Sequence, residues 1–234
     1  MSDTPPHPPH PAPPAALRPT YVARRAKRPP VLEGHDALWS IADVARVEHF
    51  HERSSSHHPK TTARLLYDED NLYLRFDVED RYVIATRTES NEPVYKDSCV
   101  EFFFQQRENH YINLEMNAIG TILLGHWKDE PREGGEVDPK LIEQVERWTS
   151  LTGPIEEEIE EPIAWHASLA IPLSLIAELE GDLGERKPAA GVNWRCNFYK
   201  IADESSHRHW GAWAPIGERL WFHQPAYFGH LKFV

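Results

Sequence analysis

Several features that would narrow the reading at once are scarce in this sequence. It holds two cysteines and two methionines in 234 residues. Two thiols cannot staple a small fold, so stability has to come from a packed core. Cys99 and Cys196 both fall in strand-like segments and read as buried free thiols, with one bridge between neighbouring strands as the alternative. Long hydrophobic runs are also missing. No stretch of about 18 apolar residues occurs, so no helical membrane span is expected. Positive charge is in deficit: 25 Lys and Arg stand against 37 Asp and Glu, a net charge of -12. Such a surface repels phosphate backbones and anionic lipid, so neither nucleic acid nor a membrane is an expected partner. There is no convincing internal repeat.

What is present points to an all-β chain. Hydrophobic residues make up 40% of the sequence and aromatics 11%, with eight tryptophans, enough for one large core. Ten of the 20 prolines lie in residues 1–30 with few large apolar residues. That segment reads as an extended or disordered tail, its basic run Arg24-Arg25-Ala26-Lys27-Arg28 as a solvated lead-in, and residues 31–234 as the domain. Within the domain, Leu72, Leu74, Phe76 and Val78 alternate with Tyr73, Arg75, Asp77 and Glu79, the period of a strand with one face inward. The same alternation recurs over Cys99–Phe104, Tyr111–Asn117, Trp165–Ile171 and Val192–Tyr199. Pro172 followed by Leu173, Leu175, Ile176 and Leu179, then Gly181, predicts one short helix. Strands at this spacing with turn residues between them indicate a β-sandwich or jelly-roll-like fold.

The stretch Tyr95-Lys96-Asp97-Ser98-Cys99-Val100-Glu101 carries the chemistry. An aromatic, a lysine and a carboxylate crowd one end of a hydrophobic strand. The outward rows collect Arg75, Glu101, Asn113, Glu115, Arg195, Asn197 and Tyr199. Forked polar groups of this kind match vicinal hydroxyls, which offer donor and acceptor together. Aromatic rings can cover the apolar face of a pyranose, and Tyr95, Trp127, Trp210, Trp213, Trp221 and Phe222 lie in loop-like segments. Other sites carry weaker signals. The turn Asp68-Glu69-Asp70 could hold calcium, although a plain acidic turn is the simpler reading. The histidine-rich segment 49–60 reads as a mobile loop without a third metal ligand, and His207 with His209 is a weak metal option.

The segments Gly34 to Trp39, Ala63-Arg64-Leu65-Leu66-Tyr67-Asp68-Glu69-Asp70-Asn71-Leu72-Tyr73 and Asp97-Ser98-Cys99-Val100-Glu101-Phe102-Phe103, with the ending Phe228-Gly229-His230-Leu231, resemble the family 9 carbohydrate-binding modules across about residues 31–234. The resemblance implies a β-sandwich that grips the reducing end of a sugar chain between two aromatics, with a structural calcium ion as an option and no cofactor otherwise. By position it assigns carbohydrate binding to Tyr95, Glu101 and Trp221, with Asn197 as a hydroxyl partner and Phe222 as the substitute for Trp221, and the reading of the polar rows adds Lys96 and Arg75. It implies a binding module that works without catalysis and serves carbohydrate breakdown. The N-terminus shows no apolar signal segment, so these residues alone predict a cytoplasmic chain, whereas modules of this kind are usually exported. Two alternatives stand beside this reading. One is a glycosidase using Glu101 with Glu115 or Asp97. The other is a haem-binding sandwich using Met116, the only internal methionine.

Overall fold

The computed structural model describes residue 14 and residues 17–128 and 133–234. The strands in chain order begin with β1 (Thr20–Arg25), β2 (Ala45–Val47), β3 (His49–Phe50), β4 (Lys60–Tyr67), β5 (Asn71–Asp80) and β6 (Val83–Ala85). Next come β7 (Cys99–Arg107), β8 (His110–Asn117), β9 (Ile122–Lys128), β10 (Gly134–Glu136), β11 (Glu146–Thr149) and β12 (Ile155–Ile159). The last are β13 (Ile163–Pro172), β14 (Asn193–Ala202), β15 (His209–Ala212) and β16 (Gly229–Phe233). Two short helices, α1 (Pro139–Ile142) and α2 (Leu173–Glu180), complete the set. The helix expected after Pro172 is α2. Pro172 caps its start, and Gly181 at φ 75° leaves the helical region as its end.

Two sheets form a β-sandwich. The first runs β10-β9-β8-β7-β14-β16-β1, with β15 and β3 extending from β14. The second runs β1-β4-β5-β13-β11, with β2 beside β4. Alternation turns one row of each strand inward. Val100, Phe102 and Phe104 meet Leu65, Leu74, Phe76, Trp165 and Leu169 in one core. Burial of this size, at roughly 25 cal/mol per Å², is the main force holding the sheets together. The two cysteines are free and buried, and strand alternation sets them on opposite faces of the first sheet, where they cannot bridge. Met116 is fully enclosed in the inter-sheet core, so it offers no open axial position to a haem.

The boundary expected at residue 30 falls earlier. β1 belongs to both sheets: Thr20 to Ala23 pair in parallel with β16, and Arg24 and Arg25 pair with Leu66 and Tyr67 of β4. Tyr21 and Ala23 are core residues. The basic run is held down rather than loosely solvated, since Arg24 pairs with Asp43, Arg25 with Glu69 and Arg28 with Asp36. Its alternation is short and masked by arginines, which is why composition reads it as tail. Residues 1–13, 15 and 16 of the expected tail lie outside the described residues.

A buried ion pair links the two sheets at one end. Lys200 of β14 points inward, its Nζ 3.3 Å from Asp80 Oδ2 of β5. His57 Nε2 meets Asp80 Oδ1 at 2.8 Å, and the Trp165 indole donates to Asp80 Oδ2. Burial works against the charge on Asp80, yet Lys200 and His57 hold its carboxyl well below the usual range. Burial pulls Lys200 below an ordinary lysine, an effect that Asp80 opposes. The segment around residues 49–60, expected to be a mobile loop, is therefore pinned. Besides His57, His51 donates its amide to Trp210 O and places Nε2 2.9 Å from Glu218 O.

Candidate functional site

The outer face of the first sheet is covered by loops rather than by a third layer. A second apolar cluster sits there, including Val94, Cys99, Phe103, Tyr199, Ile201, Phe222 and Phe228. Between this cluster and solvent lies a cleft of about 660 Å³. Its floor follows from strand register. Glu101 of β7 stands directly opposite Glu115 of β8 and Tyr199 of β14, so one row crossing the sheet reads Glu115, Glu101, Tyr199. Glu101 and Glu115 both face the cleft and are 2% and 4% exposed. Glu101 Oε2 has no hydrogen-bond partner among the described residues. Burial, the Glu115 carboxylate and Asp203 push the Glu101 carboxyl well above the usual range, with Lys200 opposing from the inward face. Glu101 therefore keeps its proton where an ordinary glutamate has lost it.

The next row carries the relay that orients this floor. The Trp127 indole donates to Asn113 Oδ1 at 2.6 Å, and Asn113 Nδ2 donates to Glu115 Oε1 at 2.8 Å. Gly125, opposite Asn113 in β9, makes room for it. A Cβ there would come within 2.3 Å of the Trp127 indole nitrogen and 2.4 Å of Asn113 Oδ1. Three tryptophans, Trp127, Trp210 and Trp221, together with Tyr95, stand half-buried around the opening. The Trp210 indole is anchored on Asp203. Trp221 is bracketed by the Arg219 guanidinium, 5.6 Å from its ring centre, and by His223. His223 in turn places Nδ1 2.9 Å from the Tyr111 hydroxyl. Burial raises the Asp203 carboxyl, an effect that the Trp210 bond only partly offsets.

Tyr95 owes its place to the Asp97-Ser98 pair that follows it. It sits in a 3-10 turn, Val94–Lys96, whose Val94 is buried. Asp97 accepts from Arg87 Nη1 at 2.8 Å, from the Arg87 amide and from Asn117 Nδ2. Ser98 Oγ accepts from the Ile84 amide. Asp97 is therefore a fully buried anchor for the turn, away from the cleft lining, and is not the partner carboxylate weighed for a glycosidase.

Of the residues singled out in the sequence, the structure brings Tyr95, Glu101, Glu115, Trp127, Trp210, Trp221 and Phe222 to the cleft. Phe222 is largely buried and stacked on Tyr199 at 4.0 Å, so its ring supports the wall from behind. Lys96 does not line the cleft, and its ammonium lies 3.0 Å from Glu204. Asn197 does not line it either. Its side chain donates to Ala214 O and accepts from the amides of Ala214 and Phe198, which consumes it as a turn anchor. Arg75 lies on the outer face of the second sheet, 1% exposed, and bonds Asp77 and Gly34 O. Period-two alternation tells inward from outward on one strand but not which sheet the strand joins.

Arg53, Glu136, Asp203 and His223 line the cleft without having been singled out. They come from loops and an edge strand, where no periodicity marks a residue. The residues weighed as metal ligands are hydrogen-bonded within the chain. Asp68 Oδ1 accepts from the amides of Asp70 and Asn71, and Oδ2 accepts from the Tyr73 hydroxyl, so the acidic turn is a self-capped turn. His209 places one ring nitrogen on Lys200 Nζ and the other on His207 O. Among the described residues, no group of three or more His, Cys, Asp or Glu is arranged to hold a metal ion.

With this geometry in view, comparison with known proteins gives a consistent answer. Residues 35–233 match carbohydrate-binding family 9. A Bacteroides uniformis protein, provisionally described as carbohydrate-binding, superposes with a TM-score of 0.82 at 25% identity, covering 93% of this chain and all of that one. A family 9 module from Caldicellulosiruptor kristjanssonii, solved with cellotriose, gives 0.59 at 17% identity over 92% of this chain and 93% of its own. The same organism's module solved with glucose gives 0.59 at 17%, over 91% and 95%. At that identity these two establish the fold. No curated protein matches the sequence. The match spans nearly the whole β-sandwich, cleft included, and the chain belongs to carbohydrate-binding family 9.

Proposed function

We propose that the cleft over Glu101 holds a single sugar unit or chain end between Tyr95 and the tryptophans Trp127, Trp210 and Trp221, and that it does so without catalysis. The observation that carries this is Glu101: a nearly fully buried residue of the cleft lining whose buried Oε2 has no hydrogen-bond partner among the described residues. A buried polar atom left unmet costs about 1–3 kcal/mol, and a sugar hydroxyl is a fitting partner. Binding one unit buries little area, so a Kd on the order of micromolar to millimolar is expected. The placement of the carboxyls supports a role without catalysis. Glycosidases set theirs on two sides of the bond they break, whereas Glu101 and Glu115 are cross-strand neighbours rising from one floor.

The ligands in the Caldicellulosiruptor structures, glucose and cellotriose, make the first probes. Isothermal titration should show heat with glucose or cellotriose, loss of at least about ten-fold in affinity for Tyr95→Ala and Trp221→Ala, and no sugar released from aryl glycosides. Absence of heat with these and with xylobiose, or wild-type affinity in both variants, overturns the assignment of the cleft.

A further inference from the structure

The charges around the cleft restrict the kind of sugar. Four carboxyl groups line it, from Glu101, Glu115, Glu136 and Asp203, against one guanidinium, that of Arg53. A neutral sugar has no need of that imbalance, and a uronic acid would be repelled by it. We propose that the cleft selects an amino sugar, a pyranose with a free protonated amine, whose ammonium meets Glu101 while its ring lies among the cleft aromatics. This rests on the reading of the cleft as a sugar site.

Glu101, one of the four, adds a second observation: it is 2% exposed, and its Oε2 is a buried carboxyl oxygen without a partner among the described residues. The lysines near it are committed elsewhere. Lys200 lies on the opposite face of the sheet, with Nζ engaged by Asp80 and His209, and Lys96 is held by Glu204. An ammonium brought by the ligand supplies a charge-assisted bond that the protein does not. Asp203 stands close enough for its charge to act on Glu101, one of its oxygens taken by the Trp210 indole. Aromatic faces favour a cation, and Trp127, Trp210, Trp221 and Tyr95 line the cleft. The titratable groups facing Glu101 are Glu115 on β8, Cys99 on its own strand, Tyr199 on β14, Asp203 beyond β14, and Arg53, Glu136 and His223 across the cleft. Of these, Arg53 alone is a fixed cation.

The sign of the pH effect separates the two kinds of ligand. An ammonium favours ionised Glu101, so binding releases a proton. Affinity then rises with pH until the sugar's own amine deprotonates near about 8, the range of α-amino groups. A neutral sugar uses the protonated carboxyl as donor, and its affinity falls as pH rises.

The test is isothermal titration of the full chain with glucosamine, N-acetylglucosamine, glucose, glucuronate and methylammonium chloride, at pH 6 and 7, in buffers of different ionisation enthalpy. Glucosamine is expected to bind about ten-fold or more tightly than glucose or N-acetylglucosamine, with proton release. Glucuronate should give no heat. Glu101→Gln and Asp203→Asn should each bring the glucosamine-to-glucose ratio toward one. Glucose binding at least as tightly as glucosamine overturns the amino-sugar assignment and leaves the sugar site standing. Methylammonium binding as tightly as glucosamine overturns it in favour of a plain amine. Silence with every sugar, cellotriose included, overturns the sugar site itself.

Discussion

Glu101 and Glu115 hold their unusual position because strand register sets them side by side beneath a cover of loops. A solvated pair would simply ionise. Here Glu101 holds its proton, since burial and its two acidic neighbours all favour the neutral form. The folded value lies above the unfolded one, near about 4.3, so the folded chain binds the extra proton. The associated stability is fully present below the unfolded value and is lost as pH rises through the folded value. Glu101→Gln removes the titration while keeping the shape. The variant should match the wild type near pH 4 and exceed it at pH 8, by roughly 1–3 kcal/mol or a few degrees in Tm. Thermal melts between pH 4 and 9 check this. A wild-type Tm that climbs over that range relative to the variant would show that the carboxyl is ionised and satisfied.

Among the elements, β14 carries the most varied load. Its inward row puts Trp194, Cys196 and Phe198 in the core and ends in Lys200, bonded across the sandwich to Asp80 of β5. Its outward row supplies Tyr199 under the cleft and Asn197 as a turn anchor. Breaking one partner of a buried pair strands the other, at a cost of about 3–5 kcal/mol. Asp80→Asn should lose stability on that scale, and Asp80→Asn with Lys200→Met should recover part of it. Asp80 is held low when folded, so its contribution is present above the unfolded carboxylate value and fades as pH falls through the folded one. The variant should therefore lose some of the acid sensitivity of the wild type. Urea titrations at pH 4 and 7 read both effects. Equal loss in single and double variants would show that the pair is uncoupled.

At the scale of the whole molecule, the sandwich was legible from the alternating rows, and so was α2 from its proline, its apolar spacing and its glycine. Tyr95, Glu101 and Trp221 were legible as a group because a charge at mid-strand and aromatics in loops both break local rules. Other features were hidden for physical reasons. β1 is short and dressed in arginines that find partners only after folding. Arg75 and Asn197 look free on paper because a sequence shows the polarity of a side chain but not the backbone groups that will occupy it. Lys200 sits in an inward row where a lysine reads as the end of a strand. Arg53, Glu136 and Asp203 converge only through tertiary closure.

The eight tryptophans divide by environment. Trp39, Trp165, Trp194 and Trp213 are buried in cores, Trp127, Trp210 and Trp221 ring the cleft, and Trp148 lies partly exposed on β11. That split gives the protein a built-in optical reporter. Acrylamide, a neutral quencher, should dim the emission of the cleft indoles more than that of the interior ones. An occupant seated among them should shield that light from the quencher, and Trp221→Phe should dim the protected fraction. Emission whose quenching is indifferent to any added sugar, in the wild type as in the variant, would place the occupant somewhere other than among these rings.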